Sequence, residues 1–192
     1  MVKKVSELEI IIGPMMSGKS TTLINKLIVS NTVHPTLYIN HKLDKRSLKS
    51  VYSTHNPMIN MLEISEVPFD CVSTDNLSNV DITKYKVIGI DEGQFFSDLK
   101  DVVMKWLELD EKKIYVAGLD GDANQKQFGQ ILDLVMHSNR VHKLHSFCMI
   151  CKSEGKCSKA IYTIHKNRLS PHEQIEIGDG TTYTPVCRKH CK

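Results

Sequence analysis

Gly13-Pro14-Met15-Met16-Ser17-Gly18-Lys19-Ser20 is the stretch that decides the fold, a complete G-x-x-x-x-G-K-S phosphate loop directly after the apolar run Leu8 to Ile12. Its glycines let the backbone curl until several N–H groups point inward at phosphate oxygens. Lys19 neutralises charge there, and Ser20 offers a hydroxyl to Mg2+. Gly13, Pro14, Met16, Ser17, Gly18, Lys19 and Ser20 are therefore expected to bind a nucleoside triphosphate such as ATP, with a strand before the loop and a helix after it.

Working outward, apolar runs at Thr36 to Asn40, Tyr85 to Ile90 and Lys113 to Leu119 alternate with helical patterns. Leu23, Ile24, Leu27 and Ile28 form one stripe, and Leu99, Val102, Val103, Trp106 and Leu107 another. Alternation of this kind predicts an α/β fold, a phosphate-loop (RecA-like) parallel sheet flanked by helices. The segment from Ser47 to Ile82 has mixed polarity and scattered Pro, Asn and Ser, and its elements stay unplaced. Near Val141 the pattern changes to paired cysteines, short strands such as Ala160 to Ile164, and the turn residues Gly178-Asp179-Gly180. Two units are expected: a nucleotide-binding domain over 1–142 and a small zinc-binding module over 143–192.

Val87-Ile88-Gly89-Ile90-Asp91-Glu92 is an apolar strand ending in two acids, where ligands bind in such sheets. Side chains alternate along a strand, so the two carboxylates can take different tasks, one toward the metal and one toward a proton. Cys148-x2-Cys151 and Cys187-x2-His190, separated by 35 residues, have the spacing of two knuckles clasping one tetrahedral ion. Thiolate and imidazole donors favour zinc, and four protein ligands predict a structural site. Cys191 could replace His190, and Cys157 is a weaker spare.

Composition narrows the class. The 41% hydrophobic content of 192 residues is enough for a core, and a net charge of +3 is too small to argue for nucleic acid or an anionic membrane. No apolar run is long enough for a membrane span and no signal peptide is evident, so a reducing cytoplasm is the expected location. There, six cysteines, five of them between Cys148 and Cys191, point to metal rather than crosslinks.

The phosphate loop, Asp91-Glu92-Gly93-Gln94-Phe95-Phe96, Leu119-Asp120-Gly121, Phe128-Gly129 and Tyr183-x3-Cys187-Arg188 together resemble the type II thymidine kinases, the cytosolic animal, bacterial and poxvirus-like group. The resemblance spans nearly the whole chain. It implies a zinc module whose lasso loop closes over the nucleoside, a homotetramer, and ATP and thymidine as substrates, with no nucleic-acid partner. By position it implies Lys19 and Ser20 on the ATP phosphates and Mg2+, Asp91 in support of the metal, Glu92 as the base facing the sugar 5′-hydroxyl, and Arg46 on the transferring phosphoryl group. Met15, Phe95, Leu119, Phe128, Thr163 and Tyr183 would enclose the thymine, with Ile177, Gly178, Asp179 and Gly180 in the loop that reads its edge.

Two stretches depart from the family pattern: Thr163 to Arg168 is longer, and the lasso Asp120-Gly121-Asp122-Ala123-Asn124-Gln125 is more polar. Ending at Lys192, the chain is expected to lack the C-terminal regulatory tail of the animal enzymes. The competing expectations are a kinase for another deoxynucleoside and a nucleic-acid-stimulated ATPase. The latter calls for a basic aromatic stripe that the sequence does not display.

Overall fold

Six short parallel strands build the main sheet of the computed structural model, which describes residues 5–44, 68–167 and 182–192. They are β1 (Glu7–Ile12), β2 (Thr36–His41), β3 (Asp70–Thr74), β4 (Val87–Ile90), β5 (Lys113–Gly118) and β6 (Arg140–Lys143), in the order β3-β2-β4-β5-β1-β6. Ile12 lies opposite Gly118 on one side and Lys143 on the other, so β1, β5 and β6 end level at one edge. Because every pairing is parallel, all six carboxyl ends open toward that edge.

Period-two alternation sorts the strand residues onto two faces. Ile11, Tyr38, Val87, Tyr115 and Ala117 pack with Leu23, Ile24 and Leu27 of α1 (Lys19–Asn31). On the other face Leu8, Ile10, Leu37, Ile39, Ile88 and Ile90 pack with Leu99, Val102, Val103 and Trp106 of α2 (Leu99–Leu107) and with Ile131 and Leu134 of a 3-10 turn. Each such aliphatic side chain contributes about 1.5–3 kcal/mol by leaving water, so the sheet is held from both sides.

The strand ends differ from the sequence expectation for identifiable reasons. Tyr85 N–H closes a turn on Ile82 O at 3.0 Å and Lys86 N–H bonds Pro35 O at 2.9 Å, so β4 begins only at Val87. Edge strands β3, with the sequence DCVST, and β6, with RVHK, carry too few buried positions to give an apolar signal. Residue 142, where the two units were expected to meet, lies inside β6 opposite Ile11.

Beyond β6 the chain forms two antiparallel ribbons, β7 (Ser146–Phe147) with β8 (Lys159–Ala160) and β9 (Tyr162–His165) with β10 (Tyr183–Val186), plus the short helix α3 (Met149–Ser153). The single strand expected over Ala160 to Ile164 is interrupted at Ile161, whose N–H bonds Val186 O at 3.1 Å where the chain changes partner from β7 to β10. Cys148, Cys151, Ala160, Ile164 and Val186 form a separate, small apolar cluster.

Candidate active site and metal centre

β1 runs straight into the phosphate loop. Gly18, at φ 82, ends the loop and α1 starts at Lys19, leaving the first amides of the helix without a side-chain cap. Gly13 is required by packing: a Cβ there would sit 2.7 Å from Leu144 O and 2.9 Å from Ser17 Oγ. Lys19 is buried and donates from Nζ to Pro14 O at 2.8 Å, which folds its ammonium back over the loop. Ser17 Oγ is buried without a partner. An orphaned hydroxyl inside an amide-lined turn fits a ligand oxygen.

Asp91 and Glu92 follow β4, two strands away from β1 in the sheet order, and both are buried. Asp91 is tied on both oxygens: Oδ1 accepts Glu92 N–H at 2.9 Å and Oδ2 accepts the Tyr38 hydroxyl at 3.1 Å. Burial first, and then the Asp91 charge, hold the Tyr38 phenol well above its ordinary range, so it remains a donor. Glu92 sits at φ 51 and ψ 41, a left-handed conformation that costs a non-glycine residue about 1–3 kcal/mol and turns its side chain out of line with Asp91. Its Oε2 accepts from Gln94 Nε2 at 2.6 Å.

The residues expected around the nucleoside fall into two groups. Met15 N–H donates to Thr163 Oγ1 at 2.9 Å, joining the phosphate loop to the β9–β10 ribbon. Thr163 pairs with Pro185 and His165 with Tyr183, so Thr163 and Tyr183 lie diagonally on one face of that ribbon. Phe95 and Phe128 meet edge to face with centroids 5.7 Å apart, and His41 stands 5.8 Å beyond Phe95. Burial pushes the His41 imidazole down, consistent with Nδ1 accepting Leu43 N–H at 3.1 Å. Leu119 is half-buried at the end of β5. Arg46, Ile177, Gly178, Asp179 and Gly180 lie outside the described residues.

Four residues to which sequence reasoning assigns no role stand at the site: Tyr38 and Gln94, and Asp120 with its ion-pair partner Lys143; of these Gln94 and Asp120 fall within the motifs quoted above. Since β1 lies between β5 and β6, that pair crosses the end of β1 just where the phosphate loop begins. The polar lasso residues have local work. Asp122 Oδ1 accepts the N–H groups of Asn124 and Lys126 at 2.8 and 2.9 Å, so the departure from the family pattern builds the loop's own turn.

Cys148, Cys151, Cys187 and His190 converge in the small module, their donor atoms all within 4.8 Å of one another. His190 Nδ1 lies 3.4, 3.5 and 3.6 Å from the sulfurs of Cys148, Cys151 and Cys187, and Cys151 and Cys187 are 3.8 Å apart. A tetrahedron with Zn–S of about 2.3 Å and Zn–N of about 2.0–2.1 Å has edges of about 3.8 and 3.6 Å, so the donor set fits zinc. Burial opposes the Cys148 thiolate, but the backbone N–H groups of Cys151 and Cys187 and hydrogen bonding with the His190 and Cys151 side chains bring its thiol down to about 6. Cys191 Sγ instead faces Arg188 O at 3.1 Å, and Cys157 is exposed.

A phosphate loop, a buried acid pair at the same sheet edge and a Cys3His group that could hold a metal ion define a phosphate-loop nucleotide-binding protein with a small appendage. The family model for thymidine kinase matches residues 6–191, and the chain belongs to the thymidine kinase family. It is 36% identical over 190 residues to a thymidine kinase of Oryza sativa subsp. japonica, covering 96% of this chain and 65% of that protein, so it spans just under two thirds of the plant relative's length. It is 36% identical over 188 residues to a thymidine kinase of Amsacta moorei entomopoxvirus, covering 94% of this chain and 95% of that protein. With that of vaccinia virus (strain Ankara) it shares 37% over 184 residues, covering 95% and 94%.

Proposed function

We propose that the chain transfers the γ-phosphoryl group of ATP to the 5′-hydroxyl of thymidine, giving thymidine 5′-monophosphate and ADP. The observation that carries this reading is the buried Glu92 carboxylate, held out of line with Asp91 at the edge where the phosphate loop opens. The loop amides, Ser17 and Lys19 hold the donor phosphates, and Ser20 and Asp91 are the groups to hold Mg2+. That ion, when bound, neutralises charge on the bridging oxygens. Glu92 takes the hydroxyl proton as the new P–O bond forms and the bond to the ADP oxygen breaks; Arg46 supports the transferred group.

Met15, Phe95, Leu119, Phe128, Thr163 and Tyr183 enclose the base, with Ile177 to Gly180 at its edge. Zinc at Cys148, Cys151, Cys187 and His190 is structural, since all four positions are filled by protein. The module begins after β6, the chain works in the cytoplasm, and it assembles as a homotetramer, which light scattering checks. Among the described residues no helix is long and apolar enough to cross a membrane.

The test is incubation with Mg-ATP and four deoxynucleosides, identifying the monophosphate formed. A pocket that contacts the 5-methyl group gains only about 1–3 kcal/mol from it, so thymidine is favoured and deoxyuridine is turned over more slowly. Preferential phosphorylation of deoxycytidine would overturn the assignment. In parallel, Glu92→Gln keeps nucleotide binding and loses turnover by about 100- to 10,000-fold; near-normal turnover would show that Glu92 is not the base.

A further inference from the structure

Gln94 is nearly fully buried, at 3% exposure, and both ends of its side-chain amide are engaged. Oε1 accepts Leu119 N–H at 2.9 Å, and Nε2 donates to Glu92 Oε2 at 2.6 Å. The orientation is set by chemistry: a backbone N–H can face only the carbonyl end, so the NH2 end must face the carboxylate. Two glycines make room. A Cβ on Gly118 would lie 2.4 Å from Gln94 Oε1, and one on Gly129 would lie 2.2 Å from Gln94 O. Gly118 and Gly129 bracket the segment that begins at Leu119 and carries Phe128, so this amide connects Glu92 to the loop expected to cover the acceptor.

We propose that Gln94 is a positioning residue for the transfer, holding the Glu92 carboxylate in its proton-accepting rotamer and registering it against the 119–129 segment. This rests on the role given above to Glu92. The Glu92 backbone, in a left-handed conformation, already turns the side chain away from Asp91; the Gln94 donor then fixes its rotamer and favours the charged form of the carboxylate. Titratable groups beside Glu92 include Asp91 and, from the β2 side, the Tyr38 phenol, which Asp44 also faces. Asp91 carries negative charge while Tyr38 stays a neutral donor, so the Gln94 amide offsets the repulsion that Asp91 sets against Glu92.

The experiment compares kcat and KM across pH for wild type, Gln94→Met, Gln94→Glu and Glu92→Gln, with thermal melts of each. Gln94→Met matches the length and removes both hydrogen bonds. It is expected to lower kcat near neutrality by about ten- to a hundredfold, the range for losing a hydrogen bond to a charged group, to move the acid limb of the profile to higher pH, and to leave KM for ATP unchanged. Gln94→Glu keeps an acceptor for Leu119 N–H but sets a second carboxyl against Glu92, and shifts the acid limb further in the same direction. If Gln94→Met fails to fold, this second variant carries the test. A lowered melting temperature with the acid limb unmoved in the folded variants would make Gln94 merely structural and overturn the inference. Wild-type turnover in Glu92→Gln would instead remove the reading beneath it.

Discussion

Metal removal should unfold the C-terminal module while the main sheet stays folded. Ordering β7 and β8, two residues each, β9 and β10, four each, and α3, five, costs about 26 kcal/mol at about 1.5 kcal/mol per residue. Against that, the module buries Ile164, Val186, Tyr183, Ala160, Cys148 and Cys151, together worth about 10 kcal/mol. The shortfall of about 16 kcal/mol is matched by the about 10–16 kcal/mol that a structural zinc supplies in small folded units. With zinc at the proposed site the module would be balanced on its ion, whereas the sheet draws on two apolar faces of its own. Hydrogen exchange by mass spectrometry, before and after chelation, is the assay. Amides of 146–165 and 183–190 should lose protection, those of β1, β2, β4 and β5 should keep it, and zinc should restore the first set. Unchanged protection over 146–165 after metal analysis has confirmed a zinc-free protein would refute the reasoning.

Other outcomes follow from the same geometry. Lys19→Ala should lower both turnover and ATP affinity, measured by isothermal titration, because the ammonium folded over the loop serves ground state and transition state alike. Gly13→Ala must displace Leu144 or Ser17 and should cost about 1–3 kcal/mol of stability along with nucleotide binding, visible as a lost ATP-induced rise in melting temperature. At Glu9 on β1, burial opposes ionisation, but hydrogen bonds from His142 and Lys26 and the charge of Lys113 outweigh it and hold the carboxyl below its ordinary range. A depressed folded value stabilises the fold above the unfolded value near 4.5 and is lost as pH falls through the folded one. Glu9→Gln should therefore be less stable than wild type by about 1 kcal/mol at pH 7, with the gap closing below pH 4.5 in urea titrations.

The legible parts of the fold were those in which one segment carries its own signal. The phosphate loop announces itself through glycine geometry and a lysine, and β1, β2, β4 and β5 through runs buried on both faces. β3 and β6 were invisible because an edge strand shows solvent half its length, and RVHK reads as loop until β1 is known to lie beside it. Spacing alone left His190 and Cys191 open as ligands; the ring points its Nδ1 at three sulfurs while Cys191 turns to Arg188 O. The roles of Tyr38 and of Gln94, the latter quoted only as part of a motif, were unreadable for a different reason. Each acts across a sequence gap, Tyr38 on Asp91 and Gln94 on Leu119, that only the strand order closes.

The hydrogen bond between Met15 N–H and Thr163 Oγ1 bears on anyone who wishes to redesign the acceptor preference. Thr163 looks like a convenient wall to reshape, yet its hydroxyl is also the anchor that seats the donor loop. Exchange for valine would keep the volume and cut the anchor, so gains in selectivity sought at this wall arrive with weakened ATP handling. Tyr183, diagonal to Thr163 on the same face of the ribbon, is the position to vary alongside it, with ATP binding followed in every variant.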